Sequence, residues 1–538
     1  MQDALSPVRA CPLPARKDRH DDVCELSATE MASKVRIGDI SAHELVEAHI
    51  ARIEAVNPKL NAVVVKRYDA ARGEARDIDH RRVAGEALPP LAGVPITIKE
   101  CLDFEGTAST FGLPSRRDAI AASDEAHVAR LRQAGAIVLG KTNVAQLLMF
   151  VECDNPIYGR TNNPWNLDRT CGGSSGGEGA IIAAGGSALG LGTDIGGSCR
   201  YPAGFCGIVG FKATAGRMPD RGRYSMSFGQ QAIASQVGLL ARNVDDIAAG
   251  LSVADGARPT SLEPQMPLGS PASVDPGTLR IGFYTDDGIM QSSPAVRRAV
   301  REAAKHLADA GASVVEWSLP DPEQLLHLAF ALFSADSGAH FKSLLAGGPV
   351  DPALKPLLML AGRSRPTLRL IGALLRAIGQ PTLAGMSAHF GYTSARDYWQ
   401  LVEALDDYRE HFAAAMDLAP GGPLDLVLGP ACALAAFRHG AAKDLGLAGV
   451  NTILYNALGY PAGVVPVTRV REAEESQRPH SKDIVQKAAK PCEDGSAGLP
   501  VGVQIAARPW REHQALAAMR IIEQEAERHP DFPAHPPL

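Results

Sequence analysis

The chain has 538 residues, of which 45% are hydrophobic, so it is long enough to bury a large core. Its net charge of −6 shows no basic excess of the kind that binds nucleic acid, and we expect no nucleic-acid partner. No run of 18 apolar residues indicates a membrane-spanning helix.

The nine cysteines are scattered, with no C-x-x-C pair and no ligand spacing for a metal. This pattern predicts free thiols in a reducing, cytoplasmic setting and no metal site. Residues 1–24 are polar and rich in Pro and Arg, and they lack the apolar centre of a signal peptide. We expect a disordered tail there.

Two capping boxes, Ser27 with Glu30 and Ser41 with Glu44, predict the first two helices, over about 28–36 and 42–55. Asn57-Pro58 is predicted to stop the second helix. Apolar periodicity predicts further strands over 62–66, 93–99, 137–139, 279–284, 312–317 and 424–428, and further helices over 68–82, 124–134, 143–150, 294–310, 395–417 and 512–528. This alternation indicates an α/β fold with a mixed or parallel sheet and helices on both faces.

Four segments have weaker patterns. Residues 235–249 are predicted to form a loop and then a helix, 257–277 a surface linker, and 471–495 an irregular surface excursion. Residues 354–379 contain basic but no acidic residues, and leucine and isoleucine recur there at helical spacing. Such a basic amphipathic helix can lie on an anionic membrane, face the core, or form an oligomer contact.

The residues around 170–214 combine glycine with serine in two motifs, GGSSGG with Ser174 and Ser175, and TDIGGS ending at Ser198. Glycine beside serine allows the tight backbone that a nucleophile and an oxyanion hole require. A phosphate loop is the alternative, but neither G-x-x-x-x-G-K-[ST] nor a complete G-x-G-x-x-G is present. Structural turns remain a third interpretation.

These two motifs, followed by CRYPAGFCGIVGFKAT and preceded by GVPITIKE with Lys99, resemble the amidase signature family over about residues 25–530. The segments TILYNALGYPAGVVPV and GLPVGVQIAARPW are most similar to its fatty-acid-amide-hydrolase-like branch. The resemblance implies one large α/β amidase domain over 25–530, with a signature core over about 95–215, an inserted helical segment over about 320–417, and a C-terminal tail over 531–538.

The resemblance also implies a Ser-Ser-Lys triad, with Ser198 as nucleophile, Ser174 as the bridging serine of a cis peptide and Lys99 as base. Without it, Lys141 would compete with Lys99 as the base. The same resemblance implies an oxyanion hole built from the backbone amides of Ile195, Gly196, Gly197 and Ser198. The mechanism that this resemblance implies requires no cofactor and no metal.

Four residues are predicted to contact the substrate: Leu148, Met149 and Phe150, for which ordinary core packing is an equal alternative, and Ser175. Asp194 and Arg200 flank the nucleophile and are predicted to form a structural ion pair. Cys199 and Cys206 are predicted to be buried rather than nucleophilic.

The function implied is a serine amidohydrolase that cleaves acyl or aryl amides, and esters or carbamates as further substrates. The alternative is the glutaminase component of a tRNA-dependent amidotransferase, and a noncatalytic α/β protein is a third interpretation. The resemblance also implies a homodimer. The basic amphipathic pattern of 354–379 leads us to expect peripheral membrane contact through that segment.

Overall fold

The computed structural model describes residues 23–220, 229–256, 266–345, 347–388, 390–391, 393–475 and 477–538. The predicted N-terminal tail therefore lies almost wholly outside the described residues, as does 257–265 of the predicted linker. The described remainder of that linker forms two short 3₁₀ turns, Pro271–Ser273 and Pro276–Thr278.

The centre of the molecule is an 11-stranded mixed sheet. Its strands are β1 (Val63–Lys66), β2 (Pro95–Lys99), β3 (Ile137–Thr142), β6 (Leu189–Asp194), β7 (Val209–Lys212), β8 (Gln236–Ala241), β9 (Arg280–Phe283), β10 (Ser313–Glu316), β11 (Leu426–Pro430), β12 (Ala462–Arg469) and β13 (Pro500–Ala507). They lie in the order β1-β3-β2-β6-β8-β7-β12-β13-β11-β9-β10. A separate hairpin pairs β4 (Asn162–Asn163) with β5 (Asn166–Thr170).

Helices flank this sheet, so the predicted α/β class is confirmed. They are α1 (Ala28–Ile37), α2 (Ala42–Leu60), α3 (Tyr68–Val83), α4 (Ala126–Gln133), α5 (Gly176–Ala183), α6 (Arg200–Cys206), α7 (Val244–Ala254), α8 (Pro294–Asp309), α9 (Pro322–Phe333), α10 (Ala339–Leu345), α11 (Leu354–Ala361), α12 (Arg365–Ala377), α13 (Pro381–Ala388), α14 (Ala395–Asp417), α15 (Val450–Ala457), α16 (Ile484–Glu493) and α17 (Glu512–Ala526). Six of them, α9 to α14, follow one another between β10 and β11, where the inserted helical segment was expected.

Both predicted capping boxes are present, at Ser27 with Glu30 and Ser41 with Glu44. The predicted stop at Asn57-Pro58 is wrong, because α2 continues to Leu60. Asn61 ends the helix in the left-handed conformation. The side-chain oxygen of Asn57 accepts hydrogen bonds from the backbone amides of Ala62 and Val63, which follow the helix. The proline therefore falls within the last turn.

Residues 143–150 do not form the predicted helix. Only Gln146–Leu148 turn, in 3₁₀ geometry, and both Leu147 and Leu148 have a φ of 57°. Polar side chains fix this irregular path: Asn155 Nδ2 donates to the carbonyl of Val144, and Gln146 bonds the backbone at Pro349 and Asp351. Side-chain hydrogen bonds to the backbone thus replace the helical ones.

Three further segments differ from their predictions. In the first, the loop expected at the start of 235–249 is β8, a strand in the middle of the sheet that is buried throughout. A strand buried on both faces has a continuous apolar pattern rather than an alternating one, which hides it from sequence periodicity.

The predicted excursion 471–495 contains α16, whose Val485, Ala489 and Cys492 are buried. The segment 354–379 is two helices, α11 and α12, and Ser364 caps the second.

Candidate active site

Lys99 is the last residue of β2 and is fully buried. Its Nζ lies 2.8 Å from Ser174 Oγ and 2.8 Å from Thr193 Oγ1. The predicted Lys99–Ser174 contact is therefore present in the structure, at hydrogen-bond distance. Thr193, on the neighbouring strand β6, is a second partner that the sequence did not reveal.

Ser174 precedes helix α5, and the peptide bond between Gly173 and Ser174 is cis. The side chain of Ser174 is buried but borders a large cavity. Gly173 is required at this turn, because a Cβ there would lie 2.4 Å from the carbonyl oxygen of Phe150. This close approach places the serine loop directly behind the segment that carries Phe150.

Ser198 lies on the loop between β6 and α6, half-exposed to the same cavity. Ile195 and Gly196 line the cavity beside it, so three of the four predicted oxyanion-hole positions border the expected reaction site. Gly197 differs, because its amide donates to Asp194 Oδ1 at 2.8 Å. This carboxylate engages the Gly197 amide, which corrects the prediction that all four amides face the substrate.

Gly197 still has a structural role in the loop. Its φ is +115°, and a Cβ there would lie 2.3 Å from Thr452 Oγ1. Thr452, on α15, also donates to the carbonyl of Gly196. Helix α15 therefore supports the Ser198 loop from behind.

Asp194 and Arg200 form a fully buried ion pair, with Arg200 Nη2 2.8 Å from Asp194 Oδ1. Burial alone would raise the pKa of Asp194, but the charge and hydrogen bonds of Arg200 outweigh it and hold that pKa well below its ordinary value. Arg200 also donates to Asn456 Oδ1 and Gln504 Oε1. The pair fixes the loop at both ends of its turn, as predicted for a structural role.

The cavity beside these residues has a volume of about 1030 Å³. Leu148, Met149 and Phe150 line it, are half-buried and also pack against a buried apolar cluster, a position that fits both the predicted substrate contact and its alternative, core packing. Much of the remaining wall comes from the helices α9, α10 and α11 and the start of α14, with these apolar side chains: Phe330, Leu332, Phe333, Phe341, Leu357, Leu358, Tyr398 and Trp399.

Ser175, which was predicted to contact substrate, lies behind the cavity wall. It is fully buried, and its Oγ lies 3.4 Å from both the amide nitrogen and the carbonyl oxygen of Thr193. A side chain added at Gly192 would meet this hydroxyl. Ser175 therefore joins the two glycine motifs instead of facing a ligand.

Lys141 is also buried, but its Nζ donates to the carbonyl of Ala108 and to Ser109 Oγ. The structure does not bring it to Ser174. Burial lowers the pKa of this lysine. Of the two candidate lysines, Lys99 is the one at the serine motifs.

Glu178, in the first turn of α5, is a buried acid that sequence reasoning passed over. Its carboxyl oxygens lie 2.7 Å from Thr97 Oγ1 and 2.8 Å from Thr142 Oγ1. Burial raises the pKa of Glu178 to about 8, although both hydroxyl contacts and the charge of Lys99 oppose this rise. The GGEGA motif and the proximity of Thr97 to Lys99 were signals available in the sequence.

Comparison with known proteins gives the same family throughout. The profile of the Amidase family matches residues 44–516. Fatty-acid amide hydrolase 1 of Sus scrofa is 35% identical over 510 residues, covering 93% of this chain and 85% of that protein. A glutamyl-tRNA(Gln) amidotransferase component of Oleidesulfovibrio alaskensis is 32% identical over 525 residues, covering 93% of this chain and 97% of that protein.

Solved structures agree on the fold. A fatty acid amide hydrolase superposes with a TM-score of 0.78 at 24% identity, covering 94% of this chain and 86% of that one. A bacterial aryl acylamidase of the amidase signature family superposes with a TM-score of 0.76 at 25% identity, covering 96% and 100%. The chain belongs to the amidase signature family, is similar to fatty-acid amide hydrolases within it, and is a hydrolase of amide bonds.

Proposed function

We propose that this amidase cleaves acyl or aryl amides with a hydrophobic acyl group, through an acyl-enzyme on Ser198. The observation that carries the proposal is the buried contact of Lys99 Nζ with Ser174 Oγ at 2.8 Å, beside a largely apolar cavity that Ser198 borders. A chain of lysine, serine and nucleophile can move a proton without a histidine.

The reaction begins with Lys99 neutral. Ser198 Oγ attacks the amide carbonyl carbon while its proton passes to Ser174, and the Ser174 proton passes to Lys99 Nζ. The backbone amides at Ile195, Gly196 and Ser198 stabilise the oxyanion of the tetrahedral intermediate. The proton then returns through Ser174 to the leaving nitrogen, the C–N bond breaks, and the amine departs.

Water completes the cycle by the same relay. It attacks the acyl carbon while its proton passes through Ser174 to Lys99, and the proton finally returns to Ser198 Oγ as the acid leaves. Esters and carbamates fit the same scheme, since each has a carbonyl carbon and a leaving group that accepts a proton. These steps call on no metal or cofactor.

The test is a panel of oleamide, a short aliphatic amide, an anilide and glutamine, with Ser198→Ala beside the wild type. We expect turnover of the long or aryl amides and loss of that turnover in the variant. Turnover of glutamine alone, or turnover only with a partner protein, would favour the amidotransferase function, whose relatives match at least as much of this chain. The apolar walls and volume of the cavity favour the hydrophobic substrate.

We also propose that α11 and α12 contact an anionic membrane surface. Leu370, Leu374 and Ile378 on or beside α12 are about 58–69% exposed, and arginines on and near the same helix are also exposed. Leu357 and Leu358 of α11 line the cavity, so a lipid-soluble substrate would enter close to this surface. No helix in the described part of the chain is long and apolar enough to cross a membrane.

Sedimentation with vesicles of phosphatidylserine and phosphatidylcholine tests this contact. Leu374→Glu should reduce the bound fraction severalfold, whereas Leu418→Glu, at an exposed leucine outside the segment, should not. Equal binding by both variants would contradict the proposal. A second copy of the chain could cover the same face, and loss of a dimer in Leu374→Glu by size-exclusion chromatography would assign the face to that contact instead.

A further inference from the structure

Glu178, on helix α5, extends its carboxyl group onto the sheet next to Lys99. Thr97, which contacts one carboxyl oxygen, is two residues before Lys99 on β2, and Thr142, which contacts the other, is the β3 residue paired with Lys99. On the other side, Gly190 of β6 pairs with Thr97. The carboxyl group therefore lies over three adjacent strands, immediately beside the strand end that presents the lysine.

The structure makes room for this carboxyl group. A Cβ at position 190 would lie 2.0 Å from Glu178 Oε2, so only glycine fits there. Glu178 also lies in the first turn of α5, the helix that follows Ser174. One side chain thus connects the strand that carries the base with the helix that follows the bridging serine.

The surrounding hydroxyl groups suit a protonated acid. Thr97 Oγ1 lies 3.1 Å from Ser187 Oγ, which donates to the carbonyl of Leu189. A neutral Glu178 can donate to Thr97, which then donates to Ser187, while Thr142 donates to the other carboxyl oxygen. Every hydroxyl and carboxyl group in this series of hydrogen bonds then has a partner, and none of them carries a charge.

The charged neighbour matters for the chemistry. Among the described residues, Lys99 is the charged side chain that lowers the pKa of Glu178 through its charge, and no arginine contributes. A carboxylate beside Lys99 would stabilise its ammonium form and so hold the proton that the base must lose. A neutral carboxylic acid leaves the amine free to act as base.

We propose that Glu178 is a positioning residue for Lys99, a buried acid that ties β2 to α5 and controls how readily the lysine gives up its proton. This inference rests on the proposed Lys99–Ser174–Ser198 relay and deepens it. Because the acid and the lysine share a site from which water is excluded, ionisation of one opposes deprotonation of the other.

The test is the pH profile of kcat/KM between pH 5.5 and 10 for Glu178→Gln, which keeps the shape of the neutral acid but cannot ionise. We expect the acid limb to move to lower pH by about half a unit or more, because the wild-type Glu178, whose pKa burial raises to about 8, ionises within this range and its carboxylate then holds the proton on Lys99, which glutamine cannot do. The plateau kcat should stay within about threefold of the wild type.

Glu523→Gln is the matched control. Glu523 is another buried acid whose pKa burial raises to about 8, but it bonds the amide of Val244, outside the serine motifs. Its profile should coincide with that of the wild type. Thr142→Val, which removes one donor to Glu178, should shift the acid limb in the same direction by a smaller amount, and it provides the test if Glu178→Gln does not fold.

Coincident profiles for Glu178→Gln and wild type would overturn the inference, as would a large fall in kcat with no change in the midpoint. Lys99→Ala separates this failure from failure of the proposed relay. If Lys99→Ala abolishes hydrolysis while the Glu178→Gln profile is unchanged, the relay stands and Glu178 is only structural. If Lys99→Ala retains activity, the relay itself is wrong.

Discussion

At the scale of single residues, two buried ionisable groups near the site differ in their partners: one has an ion-pair partner, and the other donates to a backbone carbonyl. Asp194 is paired with Arg200, whereas Lys212 Nζ, at the end of β7, donates to the carbonyl of its neighbour Ala213. Burial and the charge of Arg200 lower the pKa of Lys212 to about 7, while Asp194 and Glu512 oppose this shift. These differences give two predictions with distinct dependence on pH.

Asp194→Asn should reduce stability at neutral pH by about 3–5 kcal/mol, because Arg200 would remain buried with its charge uncompensated. The folded-state pKa of Asp194 lies below the unfolded value of about 3.9, so its contribution is full above that value and is lost as pH falls through the folded pKa. Thermal unfolding should therefore show a large deficit at pH 7 that narrows in acid. Asp168→Asn, at an exposed aspartate, is the control.

Lys212→Met should raise the melting temperature, and more at pH 7 than at pH 10. Because the folded pKa of about 7 lies below the unfolded value of about 10.4, the unfolded wild type binds more protons in between, and its stability rises with pH over that range. The variant lacks this dependence. A gain that is equal at both pH values, or that Lys305→Met at an exposed lysine reproduces, would contradict the account.

The sequence predicted these residues unevenly. The family resemblance implied the roles of Lys99, Ser174 and Ser198, and the positions of Asp194 and Arg200 beside Ser198 predicted their ion pair. Neither signal could lead to Asn456 or Gln504, which reach Arg200 from α15 and β13, more than 250 positions along the chain. Contacts formed by the crossing of distant strands leave no local pattern in one sequence.

At the scale of elements, local signals were accurate where the chain follows its own propensity. The capping boxes at Ser27 and Ser41 begin α1 and α2 as predicted. Residues 143–150 differ because contacts from outside the segment, at Phe111 and Pro349, hold Leu147 and Gln146 out of a helix. The resulting path presents Leu148, Met149 and Phe150 to the cavity together.

Phe150→Ala should lower kcat/KM for a long-chain or aryl amide by about tenfold relative to a short aliphatic amide, because only the larger acyl group uses this wall. The ratio of the two kcat/KM values is the measurement. Phe283→Ala, at a half-buried phenylalanine of β9, should leave that ratio unchanged. An equal loss for both substrates would show that Phe150 only supports the fold.

At the scale of the whole molecule, the 11-stranded sheet joins the serine motifs to strands from the last quarter of the chain. Strand β12 pairs with β7 and β13, and Gln504 of β13 holds Arg200 behind the Ser198 loop. The helices α9, α10 and α11 then supply apolar wall to the cavity that Ser174 and Ser198 border. The alternation of strands and helices in the sequence predicted this class of fold. The strand order could not be predicted, because the sequence of β8 does not alternate between apolar and polar residues and the strand was missed.

The most direct test of the central claim is covalent labelling with a fluorophosphonate, followed by mass mapping of the modified peptide. We predict one adduct per chain, on Ser198, with labelling abolished in Ser198→Ala and strongly slowed in Lys99→Ala. A Cys199→Ala variant, in which the buried neighbour of the nucleophile is removed, should still be labelled. An adduct on another residue, or labelling that persists in Ser198→Ala, would contradict the proposed acyl-enzyme.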